Sequence, residues 1–395
     1  MKKKIAACAA ALILTVTAGC ACAGCNKNEE SHSKQIYSMR TYADIVVPVG
    51  EISKEDFASL SDRVKTFLTE TENSLIATIA GSCIYNFNVA EAGATVEIDK
   101  TAYEVLSESK RIYEKTEGYF NPAVWYCEDL YRFTYGLSLA DLREKMPYDR
   151  EGALDGFGTL PDEKYVTAFQ QLSSYYSGVV LSQSDGKYYA TKPLETVKVE
   201  GDDREYSLRI DLGGIAKGWC ADKVNEMLDE AGIKCGYFNF GTSSMAIKKY
   251  AFNKTGDYTV SARDPRGAGN YISLKLQDVT LSTSGDYMQN FIADGVIYCH
   301  IINPYTGAPI RTGIASVTVA GGSAVENDAL TTALSAMGKQ KAVQYINDNL
   351  SDRKVVMLIE EGEGCGVITN CPDEATVNNP AYKILNTVQN GKIVL

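Results

Sequence analysis

Asp328 and Thr332 stand four residues apart near the start of a helical pattern, so their side-chain oxygens share one face. A carboxylate and a hydroxyl are hard donors suited to Mg²⁺, whose shell water and a substrate phosphate would complete. The same pair is also explained without a metal, as a charge against a helix dipole beside a satisfied threonine. Upstream, Asp211-Leu212-Gly213-Gly214-Ile215-Ala216-Lys217-Gly218 ends an apolar run on an acid, turns on two glycines and opens a helix. That order lets backbone approach a bulky polyanion closely, with a lysine to balance its charge. Ser282-Thr283-Ser284-Gly285-Asp286 reads as a tight polar loop whose hydroxyls and amides suit a phosphate, although in isolation it reads as an ordinary turn. His300 lies among apolar residues, a setting that fits a core histidine as readily as a catalyst.

The chain as a whole narrows these choices. Its formal net charge is -11, and no Lys/Arg cluster lies beyond Lys2, Lys3 and Lys4, which argues against nucleic acid as a partner. An acidic protein that binds a phosphate-rich ligand needs local help from helix N-termini, a lysine or a metal ion. The only histidines are His32 and His300, so a mechanism requiring two histidines is excluded, His32 falling in a polar N-terminal stretch. Seven cysteines follow Cys25, with Cys365 and Cys371 the nearest pair for a disulfide, and no CxxC spacing recommends a structural zinc.

The N-terminus reads as an export signal over 1–19: three lysines, an apolar run from Ile5 to Val16, then small residues leading to Cys20. The run is too short to span a bilayer comfortably. Thr-Ala-Gly-Cys resembles a bacterial lipobox, so Cys20 is the expected lipidation site, with Cys25 a poorer second candidate. This predicts a membrane-anchored protein on the extracytoplasmic face, a polar tether over 20–36 and one folded domain over 37–395.

Periodicity places the candidate residues. Helices are expected over Lys54–Thr71, Thr101–Thr116, Glu163–Tyr175, Lys217–Ala231, Ala324–Met337 and Lys339–Asn349. Strands are expected at Asp44–Val49, around Val179, Tyr188 and Val197, at Leu208–Leu212 feeding the glycine turn, and at Tyr237–Phe240 and Ile314–Val319. Several short strands fall between Tyr258 and Cys299, and Val355–Ile359 reads as a closing strand. Tyr135–Asp162, polar and rich in Gly and Pro, reads as an irregular surface excursion. The pattern is α+β with hairpins and helices interleaved, and no G-x-G-x-x-G follows an early strand.

Taken together, D-L-G-G-I-A-K-G, S-T-S-G-D, H-I-I-N-P-x-T-G and N-D-A-L-T-T-A-L fall in the order seen in the ApbE family of FAD:protein FMN transferases, which the chain resembles from about Met39 to its last strand. Phe120-Asn121-Pro122, followed by an aromatic stretch from Trp125 to Phe133, adds to the resemblance. It implies a mixed α/β fold of tandem T-fold type holding FAD, as substrate, in a cleft. It also implies transfer of FMN to a Thr or Ser hydroxyl of a separate exported acceptor protein, with AMP leaving. By the same resemblance, Gly214 (through its carbonyl), Asp328 and Thr332 would bind Mg²⁺, and Asp211 and Lys217 would contact FAD. Thr283, Ser284 and Gly285 would also bind the cofactor, Ile302 would lie against it, and Tyr119, Phe120 and Asn121 would line the adenosine side. His300 would take the acceptor proton, since neutral imidazole serves as a base near pH 7.

Several positions depart from the family pattern. Arg40 interrupts the usual Met-Gly-Thr, leaving Met39 and Thr41 matched, and Thr78 stands where an aromatic flavin contact is common. Asn121 and Asn303 replace aspartates, and Gly241-Thr242-Ser243-Ser244 replaces a Gly-Gly-Asp/Asn turn. Two other outcomes stay open on sequence: hydrolysis of FAD to FMN and AMP, and flavin binding without chemistry.

Overall fold

The computed structural model describes residues 30–131, 160–287, 289–293, 296–362 and 364–395. The export signal, Cys20 and most of the Tyr135–Asp162 excursion lie outside them. Among the described residues no helix is long and apolar enough to cross a membrane.

The scaffold is an eight-stranded sheet: β1 (Ser31–Ser38), β2 (Thr41–Pro48), β3 (Tyr237–Phe240), β4 (Ser244–Ile247), β5 (Val279–Gly285), β6 (Ile314–Ala320), β7 (Lys354–Glu361) and β8 (Gly364–Thr369). Spatial order equals chain order, and every neighbouring pair is antiparallel. Helices and small hairpins are therefore inserted between consecutive strands of a meander, which excludes a parallel dinucleotide-binding sheet.

Both faces of the sheet are covered. Val317, Val319, Val355, Met357 and Ile359 pack with the helices, whereas Met245, Leu281, Val356 and Leu358 pack against a three-stranded sheet of Tyr258–Arg263, Asn270–Leu276 and Ala375–Val377. Two-sided burial explains why β6, IASVTVA, is buried at every position and reads as a continuous run rather than an alternation.

Among the described residues, eight α-helices surround this core: α1 (Lys54–Leu75), α2 (Cys83–Val89), α3 (Lys100–Lys115), α4 (Trp125–Leu130), α5 (Glu163–Ser174), α6 (Ala216–Glu230), α7 (Ala324–Met337) and α8 (Lys339–Asn349). α1, α2, α3 and α5 start at side-chain caps legible in sequence: Ser53 accepts from the Asp56 amide, Ser82 from that of Tyr85, Asp99 from that of Ala102 and Asp162 from that of Lys164. α7 is buried nearly all round, its polar residues Asn327, Asp328 and Thr331 included, because α6, α3, β5 and β6 enclose it.

Four expectations need correction. Ser31–Ile36, expected within the 20–36 tether, belong to the strand Ser31–Ser38, which pairs along its whole length with β2. Leu208–Leu212 is extended and buried at alternate residues but joins no ladder, because the Asn88 side chain caps both the Ile210 amide and carbonyl, and the Asp211 amide donates to Pro122. Ser282–Gly285, expected as a loop, is the end of central strand β5, where pairing on both sides overrides turn-like composition. Val355–Ile359 does not close the sheet, since β8 follows it at the edge. The short helices α2 and α4 were not anticipated. Cys83, Cys127, Cys220, Cys235, Cys299, Cys365 and Cys371 are all free thiols.

Candidate functional site

The glycine turn before α6 is held from within. Asp211 Oδ1 accepts from the Gly213 amide at 2.6 Å, and Lys217 Nζ donates to the Gly213 carbonyl at 2.7 Å. The three glycines here do different jobs. A Cβ on Gly213 would meet Asp211 Oδ1 at 2.8 Å, and one on Gly218 would lie 2.2 Å from the Ala324 carbonyl oxygen. On Gly214 it would find Phe120 Cε2 and Thr332 Oγ1 at 3.5 Å each, which is ordinary contact. Gly218 is thus required for the approach of α6 to α7, while Gly214 only has to present backbone.

That approach is locked reciprocally. Asp328, on the second turn of α7 and buried, accepts from the Gly218 amide through Oδ2 at 3.0 Å. Asp222 on α6 in turn accepts from the Ala324 and Val325 amides at 2.7 and 2.9 Å, capping the start of α7. Each helix supplies the carboxylate that satisfies orphan amides of the other. Asp328, Thr332 and Gly214, far apart in sequence, consequently meet where α6 begins.

Charge around the turn is unevenly distributed. Burial raises the Asp211 carboxyl above its usual range, and the Gly213 amide, Lys217 and Arg40 partly offset this. Glu128 on α4 is pushed well above the usual carboxylate range, first by burial and then by Asp211 and Asp129. His300, in the bend after the strand Val296–Cys299, is lowered to about 4 by burial, with Lys217 adding to the effect. Lys217 therefore lies within electrostatic reach of both Asp211 and His300, and His300 is neutral across the ordinary pH range.

The other expected residues distribute as follows. Phe120 is buried against the glycine turn. Tyr119 is half-buried, 4.7 Å from the Tyr305 ring and beneath Lys341 Nζ at 4.9 Å. Asn121, expected on the adenosine side, commits its amide to structure: Oδ1 accepts from the Ala123 amide at 2.9 Å and Nδ2 donates to the Ser173 carbonyl at 3.1 Å. Ser284 shares a 2.8 Å hydrogen bond with Thr331 and so faces α7. Thr283 points to the opposite face, where it pairs with Thr318 at 2.9 Å and lines a narrow, mainly apolar cavity with Val260 and Leu274. Gly285 ends the strand beside Tyr287, and Ile302 is buried in a short hairpin with Pro309. Met39 packs half-buried on the main core at the tip of the β1–β2 hairpin, and Thr78 follows α1.

Three participants escaped sequence reasoning. Asp222 looks like an ordinary surface acid of an amphipathic helix, and Glu128 sits inside an aromatic run that masks it. Arg40 reads as an interruption, yet its Nη2 donates to Thr78 Oγ1 at 3.0 Å and its charge acts on Asp211.

One carboxylate, one hydroxyl and one carbonyl make a mixed, hard-oxygen set. Among the described residues no group of three or more His, Cys, Asp or Glu is arranged to hold a metal. The set fits a cation that keeps water and takes oxygen ligands, and it does not fit zinc.

The model of the ApbE family matches residues 38–357. The FAD:protein FMN transferase of Treponema pallidum (strain Nichols) is 26% identical over 322 residues, covering 80% of this chain and 78% of its own length. That of Escherichia coli (strain K12) is 24% identical over 310 residues, covering 78% of each. The solved structure of the flavin transferase ApbE from Vibrio cholerae superposes with a TM-score of 0.66 at 22% identity, covering 86% of this chain and 97% of that one.

Proposed function

This chain belongs to the ApbE family, and from that premise we propose that it is a transferase moving FMN from FAD to a Ser or Thr hydroxyl of an exported acceptor protein. The observation that carries the reading is the meeting of Gly214, Thr332 and Asp328 at the start of α6, beside Lys217 and His300. Those groups match what attack on a diphosphate requires: hard oxygens and a cation at the phosphates, and a neutral base for the incoming hydroxyl.

In this reading the acceptor oxygen bonds to the FMN phosphorus as the bond from that phosphorus to the bridging oxygen breaks. AMP departs with the bridging oxygen, and Nδ1 or Nε2 of His300 takes the hydroxyl proton. Burial first, and Lys217 after it, disfavour the imidazolium, which keeps the base neutral. Asp328, Thr332 and the Gly214 carbonyl would hold Mg²⁺, which supplies charge neutralisation on the phosphates when bound. Phe120 closes one side of the glycine turn against water. Lipidation at Cys20 would keep the enzyme at the extracytoplasmic face of the membrane, near exported acceptors.

The test is to incubate the mature chain with FAD, MgCl₂ and an acceptor carrying the family's flavinylation sequence, then read the acceptor by mass spectrometry. An acceptor gaining FMN, with equimolar AMP, supports transfer. FMN and AMP without an adduct would replace it with hydrolysis, and unchanged FAD would leave only a flavin-binding protein.

A further inference from the structure

We propose that Arg40 is a specificity-determining residue whose guanidinium, together with Lys217, binds the diphosphate of the dinucleotide substrate. The inference rests on the FMN-transfer reading and adds a residue that reading does not use.

The first observation is the backbone. β1 and β2 stay in register to Ser38 opposite Thr41, so Met39 and Arg40 alone form the hairpin loop. Both have positive φ, 47° and 61°, as in the two-residue turns that Asn-Gly ordinarily occupies. Neither residue is suited to that conformation, so the loop retains a long cation where glycine would be easier.

The second observation is where that cation reaches. Across 38 residues of sequence, Arg40 Nη2 donates to Thr78 Oγ1 at 3.0 Å, which fixes the head group beside the turn after α1. From there its charge favours the ionised form of Asp211, as Lys217 does from the α6 side. Asp211 is bonded to Gly213, and Gly214 adjoins Thr332, so the two cations bracket the turn on which the hard-oxygen donors converge.

Chemistry selects the ligand. A guanidinium offers five donors in a planar fork matched to phosphate oxygens, and it is more weakly hydrated than an ammonium. Arg40 is exposed, so a dianion can approach it without burying an unpaired charge. The chain as a whole, these two cations included, carries a net charge of -11, which makes each cation at this turn consequential for a polyanion.

Calorimetric titration of the mature chain with FAD, ADP and riboflavin, for wild type, Arg40→Ala, Arg40→Gly and Arg40→Lys, tests the assignment. The expected result is FAD and ADP affinity weakened about tenfold by Ala and Gly, less by Lys, with riboflavin unaffected. Arg40→Gly should not lower the melting temperature, because it relieves the turn. FAD and ADP affinities within twofold of wild type would overturn the proposal, as would an equal loss for riboflavin. A lower melting temperature for Arg40→Gly with unchanged affinity would make Arg40 a strut for Thr78 instead. Wild-type protein that bound none of the three ligands would defeat the FMN-transfer reading first, an outcome distinct from failure of Arg40 alone.

Discussion

The site draws on two regions held in opposite ways. Where α6 meets α7, position is fixed by burial and by backbone contact: Gly218 lies against Ala324, and Asp222 and Asp328 each cap the other helix. At the β1–β2 tip, Arg40 is exposed and held by a turn that disfavours its own residues. The first region leaves almost no room for a side chain at Gly218, whereas the second is exposed and, on the proposal above, would answer to charge more than to shape. On the proposed reading, rigidity would reside where a metal and a phosphorus are placed, and adaptability where a flexible dinucleotide enters.

The contrast can be broken most severely at Asp328. Asp328→Ala removes a proposed metal ligand and the partner of the Gly218 amide together. Activity should fall by several kcal/mol of barrier, about a thousandfold, in a steady-state assay of FAD turnover. Retained turnover in chelator-treated buffer would remove Mg²⁺ from the account.

Gly218→Ala tests the packing alone. Its Cβ must displace the Ala324 carbonyl, so denaturant unfolding should show a loss of about 2–3 kcal/mol, with FAD affinity falling as the helices part. Stability within 0.5 kcal/mol of wild type would mean that the approach of α6 to α7 is not a constraint.

His300 sharpens the comparison through pH. Its folded value of about 4 lies below the ordinary histidine range near 6.5, so the base stays neutral down to roughly pH 4. The acid limb of kcat/KM arising from this group should fall near pH 4, and a limb near 6.5 would place His300 in water instead. The sign for stability follows from the same shift. Between 6.5 and 4 the unfolded chain binds the proton and the folded one does not, so this contribution is full above 6.5 and is lost as pH falls towards 4.

The smallest expected effect is at Gly214. A methyl group there meets only ordinary contacts, so Gly214→Ala should change turnover and stability by less than about threefold and 0.5 kcal/mol. A large loss would show that the turn uses this glycine for more than its carbonyl.

Much of the scaffold was legible because local signals agree with tertiary ones. Helices 324–337 and 339–349 match the sequence reading to the residue, with Gly338 marking the break between them, and α1, α3, α5 and α6 match within a few, the caps Ser53, Asp99 and Asp162 marking three of those starts. Ser282–Gly285 failed for the opposite reason, because Ser, Thr and Gly describe a turn locally and only its two neighbouring strands make it sheet. Thr283 faces Thr318 and Val260 rather than α7, a choice of face set by register that composition does not encode. The reciprocal Asp222 and Asp328 caps were equally hidden, being contacts between residues over a hundred apart.

The serial order of the sheet has a consequence for how the protein folds. Most pairings join segments close in sequence, but β2 pairs with β3 across about 190 residues of inserted chain. That closure carries a larger loop entropy than any hairpin in the sheet, and little is gained until both flanking blocks are formed. Pulse-labelled hydrogen exchange during refolding should therefore find the Ala43–Val46 amides protected after those of β6 and β7, and simultaneous protection would contradict it. Arg40 belongs to the late-docking hairpin, while Asp328 and Thr332 sit on the helix between β6 and β7. Binding competence would then arrive as the last event of folding, so a partly folded chain carries no half-built site.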